Sequence, residues 1–176
     1  MPHDAVRRRQ RHPLLLLLLL VVLLLGAVGC NSEEIFSYTG TYKGVAALTA
    51  THDNTPVLVD TLRGKLVVSY VGDHQVRIEL PAITGSKIDV MEARLQMEAL
   101  VLDSVHTKTK LLGTEFQLDS YELEDVEYSL GDSVGHCRCT GSLDGSYKLG
   151  EVTIKWSFRL EDMPFTIHVS YAGSRL

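Results

Sequence analysis

The sequence is poor in the parts from which catalytic centres are usually built. The motif reading assigns no Gly-x-Ser-x-Gly elbow, no Gly-x-x-x-x-Gly-Lys-Ser/Thr loop and no His-Glu-x-x-His pair. It therefore offers no warrant for acyl transfer, phosphoryl transfer or zinc proteolysis. Cysteine is scarce: there are three in 176 residues, and only Cys137 and Cys139 follow residue 30. Two such neighbours on a strand point to one face, with Cα atoms near the upper limit for a bridge. Packed, reduced thiols are expected, not a disulfide. His136 alone beside them leaves a metal set short of ligands. His52, His74, His106 and His168 are scattered and read as surface residues. After residue 30 there is no low-complexity segment and no repeat of fixed period. These absences point away from an enzyme: no catalytic residue, no metal and no cofactor is expected.

One long apolar run is present, and it stands at the start. Arg7, Arg8, Arg9 and Arg11 precede the run Leu14 to Leu25, which closes on Ala27-Val28-Gly29-Cys30. A charged start, an apolar core and a small-residue exit form a secretory signal. Leu14 to Gly29 counts 16 residues, roughly 24 Å as a helix. A permanent span usually wants about 20 residues for a hydrocarbon core about 30 Å thick. The segment therefore reads as a signal peptide over 1–29, with residues 30–36 as a tether and 37–176 as the folded domain.

Composition bounds the partners of the mature part, 30–176. Removing the four Arg and one Asp of the signal leaves 13 basic and 21 acidic residues, a net charge of −8. An acidic domain argues against nucleic acid or an anionic lipid surface as partner. The densest acidic stretch, Asp119, Glu122, Glu124, Asp125, Glu127 and Asp132, reads as a solvated strand edge with gatekeeping charge.

The rest of the chain alternates apolar and polar residues between turn signals, the mark of antiparallel strands. Leu62–Val71 and His74–Pro81 flank Gly72-Asp73. Tyr121–Leu130 and Ser133–Gly141 flank Gly131-Asp132. Gly150–Leu160 and Pro164–Gly173 flank Glu161-Asp162-Met163. The first strand is read as Tyr38 to Ala50. In residues 88–105 helix propensity competes with alternation. Met91, Ala93, Leu95, Met97, Ala99 and Val101 occupy successive alternate positions, whereas Arg94 and Glu98 spoil a helical face, so a strand is predicted. About eight strands with short connections imply an all-β antiparallel barrel or sandwich.

Three stretches carry a family resemblance: Tyr38-Thr39-Gly40-Thr41-Tyr42-Lys43-Gly44, Gly141-Ser142-Leu143-Asp144-Gly145, and Met163-Pro164-Phe165 through Gly173. Over roughly 36–175 they resemble the calycin-like (lipocalin-like) β-barrel lipoproteins of Bacteroidetes. Gly40-Thr41-Tyr42 is similar to the Gly-x-Trp element that opens lipocalin barrels, with Tyr42 in place of Trp. The resemblance implies an up-and-down β-barrel of about eight strands and a surface location. It implies no catalytic residues and no fixed ligand. Residues 27–30 likewise resemble the bacterial lipobox, which implies a diacylglyceryl thioether on Cys30. Ser32-Glu33-Glu34 resembles the surface-export signal of Bacteroidetes lipoproteins. The expected address is the outer membrane, lipid-anchored through Cys30 and facing outward.

A barrel of this size either holds one small ligand or fills its middle with side chains. If it holds a ligand, Tyr42 and Trp156 are the candidate lining residues, each with an apolar body and a polar tip. Two functions remain open on these grounds. One is binding of a small apolar or glycan-like ligand; the other is a structural or interaction lipoprotein with a solid barrel.

Overall fold

The structure, a computed structural model, describes residues 37–176. The expected signal segment, Cys30 and the expected tether to residue 36 lie outside the described residues. The strands are β1 (Gly40–His52), β2 (Thr55–Gly72), β3 (Gln75–Glu79), β4 (Ile83–Ile88), β5 (Ala93–Met97), β6 (Val101–Lys110), β7 (Gly113–Leu130), β8 (Ser133–Lys148), β9 (Glu151–Leu160) and β10 (Ile167–Arg175). One 3-10 turn, Asp89–Met91, separates β4 from β5. Eight strands close into an antiparallel barrel in the order β1-β2-β3-β6-β7-β8-β9-β10. The β4–β5 hairpin is inserted between β3 and β6. It rejoins the wall where Leu95, Gln96 and Met97 of β5 pair with Leu130, Ser129 and Tyr128 of β7.

Alternation is the reason these residues form a closed sheet. On β9, Val152, Ile154, Trp156, Phe158 and Leu160 are buried, while Glu151, Thr153, Lys155 and Arg159 face out. On β10, Ile167, Val169 and Tyr171 are buried and His168 and Ser170 face out. Each fully buried side chain of this size contributes about 1.5–3 kcal/mol. A one-residue slip would turn the whole set outward, so burial fixes register as well as stability.

The turns are mostly two residues long. Asp53-Asn54 (φ 49° and 63°) joins β1 to β2, and Asp73-His74 (φ 43° and 59°) joins β2 to β3. Both central residues are left-handed, the geometry that matches strand twist in a tight hairpin and that Asn and Asp tolerate. Gly131-Asp132 joins β7 to β8, as the sequence predicts. Gly72-Asp73 is displaced by one: Gly72 closes the ladder against Gln75, and the turn is Asp73-His74.

Other expectations need correction. Pro164 does not begin a strand; β10 starts at Ile167, after a six-residue connection. Residues 88–105 are extended, not helical, but they do not form one strand. The 3-10 turn and a break at 98–100 interrupt them, and the buried parity shifts. Leu95 and Met97 are buried, then Leu100 and Leu102, while Val101 is 41% exposed. A further slip follows: Val105 is inward beside Leu102 because the β3–β6 register shifts and Ser104 takes φ 61°. This is how a β-bulge re-aims side chains.

Closure brings β1 against β10 over Tyr42↔Arg175 to Ala50↔Ile167. At this seam Gly173, Gly44 and Gly64 stand in one lateral row across β10, β1 and β2. Tyr171 lies across Gly173, and its hydroxyl donates to the Tyr42 carbonyl at 3.0 Å and reaches the Gly64 carbonyl at 3.4 Å, while Pro81 stands over Gly64. A Cβ added at Gly44 would sit 2.1 Å from the Ala172 carbonyl oxygen, and one at Gly173 would sit 2.5 Å from the Tyr171 hydroxyl. A Gly44→Ala chain should therefore lose about 3 kcal/mol or more of stability, since backbone cannot yield as a side-chain tip can. Urea unfolding followed by circular dichroism measures this. The outward Ala47→Ser should stay within about 0.5 kcal/mol of the parent.

Candidate functional site

Tyr42 and Trp156 both lie in the core. Tyr42 points inward from β1 with no exposed surface, and its hydroxyl donates to the Tyr38 carbonyl at 2.6 Å. Its ring meets Tyr147 edge-on at 6.2 Å. Burial first, and Tyr147 second, push its hydroxyl pKa up to about 12, with Arg175 opposing. Trp156 is 4% exposed on β9, between its register partners Leu143 and Val169. Tyr171, Phe116 and Phe158 occupy the same interior, all but fully buried. Tyr38 adds its ring edge-on to Phe116 at 5.9 Å. The polar tip of Tyr42 is thus already satisfied by backbone, so this tyrosine behaves as packing.

Open space lies on the outer wall instead. A groove of about 670 Å³ runs across β7, β8 and β9, lined by Glu115, Gln117, Asp119, Asp144, Thr153 and Lys155 among others. A second groove of about 410 Å³ continues over β9, β10 and β1. The two share Ser142, Asp144 and Lys155. Register explains this alignment. Gln117, Asp144, Lys155 and Ser170 are successive partners across β7, β8, β9 and β10. Ser142, Ser157, His168 and Thr49 form the adjacent row across β8, β9, β10 and β1. Within the rows the Ser142 and Ser157 hydroxyls are 3.0 Å apart, and those of Ser146 and Thr153 are 3.1 Å apart. Gln117 donates to the Asp119 carboxylate at 2.7 Å. The wall therefore presents parallel rows of donors and acceptors with one carboxylate and one ammonium at their centre.

The acidic stretch falls on β7, apart from Asp132 in the β7–β8 turn. Between Gln117 and Tyr128 this strand has left β6 and has not yet met β5, so it is open on that side. Its charges are partly paired outside the barrel: Arg138 bridges Glu122 at 3.2 Å and Glu161 at 3.0 Å, and His136 lies 3.2 Å from Asp125. Each of these pairs is exposed and contributes little on its own. A solvated local edge with charge on it is what the structure shows.

Two sequence readings are refined by this geometry. Gly131-Asp132-Ser133-Val134-Gly135 has the Gly-x-Ser-x-Gly spacing, which the motif reading does not include. It forms the β7–β8 hairpin turn with Ser133 exposed at the start of β8. A nucleophile elbow needs a strand-to-helix turn, so the match carries no hydrolase chemistry. Cys137 and Cys139 are both free; Cys139 is buried and Cys137 half-buried. Among the described residues, no three His, Cys, Asp or Glu side chains gather as a metal set. The groove residues Gln117, Asp144 and Lys155 were not visible as a group in the sequence. Each is an ordinary outward strand residue, and only register unites them.

Comparison with known proteins bears on the fold. No protein-family model matches the chain, and no curated protein matches it. Among solved structures, it is similar to a Bacteroides fragilis protein provisionally named an outer membrane protein. The identity is 16%, the TM-score 0.50, and the match covers 78% of this chain. The chain spans about half the length of that protein, 51%. At this identity the likeness concerns the fold.

Burial makes a testable demand on the tyrosines. Tyr42 and Tyr171 both have pKa values pushed up to about 12, burial being the first cause for each. Folded-state values above the unfolded value of about 10 mean the folded chain holds more protons between pH 10 and 12. The stability they confer is complete below pH 10 and is lost as pH rises through 12. Absorbance titration near 295 nm should show a fraction of tyrosines ionising late and together with loss of β signal. A single reversible step near pH 10 with the fold intact would contradict this burial.

Proposed function

We propose that the chain is a lipid-anchored, outward-facing domain of a bacterial outer membrane that binds a polar, glycan-like ligand on its wall. The single observation that carries the binding reading is the continuous groove over β7–β10 and β1, set against an interior occupied by side chains. Its larger part, about 670 Å³, falls in the range of small-molecule sites. Its lining is hydroxyl, carboxamide, carboxylate and ammonium, which suits a ligand rich in hydroxyls better than a fatty one. The anchoring reading draws support from the lipobox-like Ala27-Val28-Gly29-Cys30 and the apolar run before it. The outer-membrane reading is supported by the resemblance to Bacteroidetes calycin-like lipoproteins and by the name carried by the structural neighbour. Binding is the reading, with the hydroxyls of the groove bonded to one another, Ser142 with Ser157 and Ser146 with Thr153.

A second reading has its own support. Tyr42, Tyr171, Phe116 and Phe158 pack the barrel's centre, which a structural or interaction lipoprotein would share. The two are separated by titration. Calorimetric titration should show saturable binding of a glycan from a panel of oligosaccharides. Asp144→Ala and Lys155→Ala should each weaken that binding about tenfold or more, the scale of a charged hydrogen bond. Trp156, the chain's one tryptophan, lies inside the barrel, so its fluorescence reports on the interior. Haem, bile acids and fatty acids should leave the emission unchanged. Saturable quenching by one of these, unaltered in Asp144→Ala, would place the ligand inside and sink the wall reading. No response to any compound would favour the interaction protein.

A further inference from the structure

The two ends of the barrel differ in a way that neither the groove nor the fold requires. Antiparallel alternation puts the start of β1, the β2–β3, β6–β7 and β8–β9 turns and the end of β10 at one end. These pieces adjoin one another. Thr107 bonds the His74 carbonyl, a Cβ on Gly113 would strike the Tyr147 carbonyl, Arg175 bonds Gly150, and Leu176 bonds Thr41. The tips here are leucines: Leu111 is 99% exposed, Leu112 70% and Leu149 90%, with Leu176 at 72% beside them. Val71, 56% exposed, stands just before the β2–β3 turn. At the opposite end the connections carry Asp53-Asn54, Gly131-Asp132 and Glu161-Asp162, and the exposed apolar residues are smaller ones off the hairpin tips, Val59, Val90 and Val134.

Single exposed apolar residues are ordinary on protein surfaces. Their gathering at one end is not ordinary, and the turn chemistry sharpens the point. Tight hairpins favour Asn, Asp and Gly. Leu149 nevertheless takes φ 52°, a left-handed backbone that leucine rarely adopts. Leu111-Leu112 occupies another two-residue connection. Local preference is broken twice and no burial within the barrel compensates, a pattern expected where another surface supplies the gain.

We propose that these leucines dock this end of the barrel onto a phospholipid surface. Three observations favour a bilayer over a protein. The contacts are separate protruding tips, which suit a fluid layer that closes around each. Basic residues flank them, Lys43, Lys108, Lys110, Lys148 and Arg175, against Asp73, Glu115 and Glu151, in a mature chain that is acidic overall. Lys110 is already paired with Glu115 and Arg175 also has a partner, so Lys43, Lys108 and Lys148 carry this argument. The described chain also enters the barrel at this end. Resting on the proposed anchoring, a lipid on Cys30 would be seven residue steps from Ser37, a reach of at most about 25 Å. An anchor there would set a distance from the membrane and no orientation. Leucine tips would fix the domain's orientation, leaving the wall groove sideways and the acidic turns farthest from the membrane.

The experiment reads depth directly. The full chain is produced in a bacterial host with its own N-terminal segment and placed in phosphatidylethanolamine–phosphatidylglycerol vesicles. An environment-sensitive fluorophore is attached through Leu111→Cys or Leu149→Cys, and through Asn54→Cys or Asp132→Cys at the other end, each with Cys137→Ser. Probes at 111 and 149 should shift to the blue and be quenched by lipid-borne nitroxides, while probes at 54 and 132 keep their emission in water. Vesicle-bound protein with all four probes in water overturns the docking. A blue shift without lipid quenching, in a particle of twice the monomer mass, also overturns it and gives the leucines to a second copy. The mass of the Cys30 peptide from the same sample keeps the readings apart. An unmodified thiol defeats the anchoring, whereas the depth of the probes still decides the docking.

Discussion

The structure rests on one steric bargain at the seam of the barrel. Gly173, Gly44 and Gly64 lie side by side on β10, β1 and β2: Tyr171 takes the room at Gly173, Pro81 takes it at Gly64, and at Gly44 the β10 backbone comes too close for any side chain. An eight-stranded barrel has an interior just wide enough to be filled by side chains. Large rings fit there only if the wall behind them is thin. The same device recurs where Tyr121 lies across Gly141 and bonds the Ser157 carbonyl, and where Tyr128 lies across Gly135. Aromatic rings set over strand glycines stabilise positions that glycine alone would weaken. Filling and closure are therefore one event: without the rings the barrel would be hollow, and without the glycines it could not shut.

That bargain decides where function can be. With the interior used for packing, the features left over are outside it. The wall between β7 and β1 carries ordered rows of hydroxyls around Asp144 and Lys155. One end carries leucines and the other carries acidic turns. Each feature is made from outward residues whose identity the core does not constrain. Outward strand positions and loop tips can change without disturbing the packing, which is why binding surfaces are so often found on them.

Much of the fold was legible because period-two alternation reports a half-buried strand directly. β9 and β10 are read almost residue by residue, and β1 nearly so. The failures have local causes. Residues 106–120 carry no predicted strand, because the bulge at Ser104 breaks the alternation before them and Leu111-Leu112 looks like strand core at a place where the chain turns. The end of β8 is missed as well: the alternation is read only to Gly141, whereas the strand runs to Lys148. The six alternating residues from Met91 to Val101 suggested one face, but breaks in the backbone redirect it midway. Of the candidate site, Tyr42 and Trp156 were rightly seen as inward, and their inwardness makes them core. The groove could not be read from the sequence. Gln117, Asp144, Lys155 and Ser170 are far apart along the chain, and only strand register brings them into one row.

The central claim is a closed barrel whose seam is filled by Tyr171, and nuclear magnetic resonance tests it most directly. The account predicts nuclear Overhauser contacts from the Tyr171 ring to the α-protons of Gly173 and from Pro81 to those of Gly64, with the paired amides of β1 and β10 slow to exchange. A Tyr171 ring without those contacts, and seam amides exchanging as fast as those of the Leu149 turn, would mean an open sheet and would contradict it.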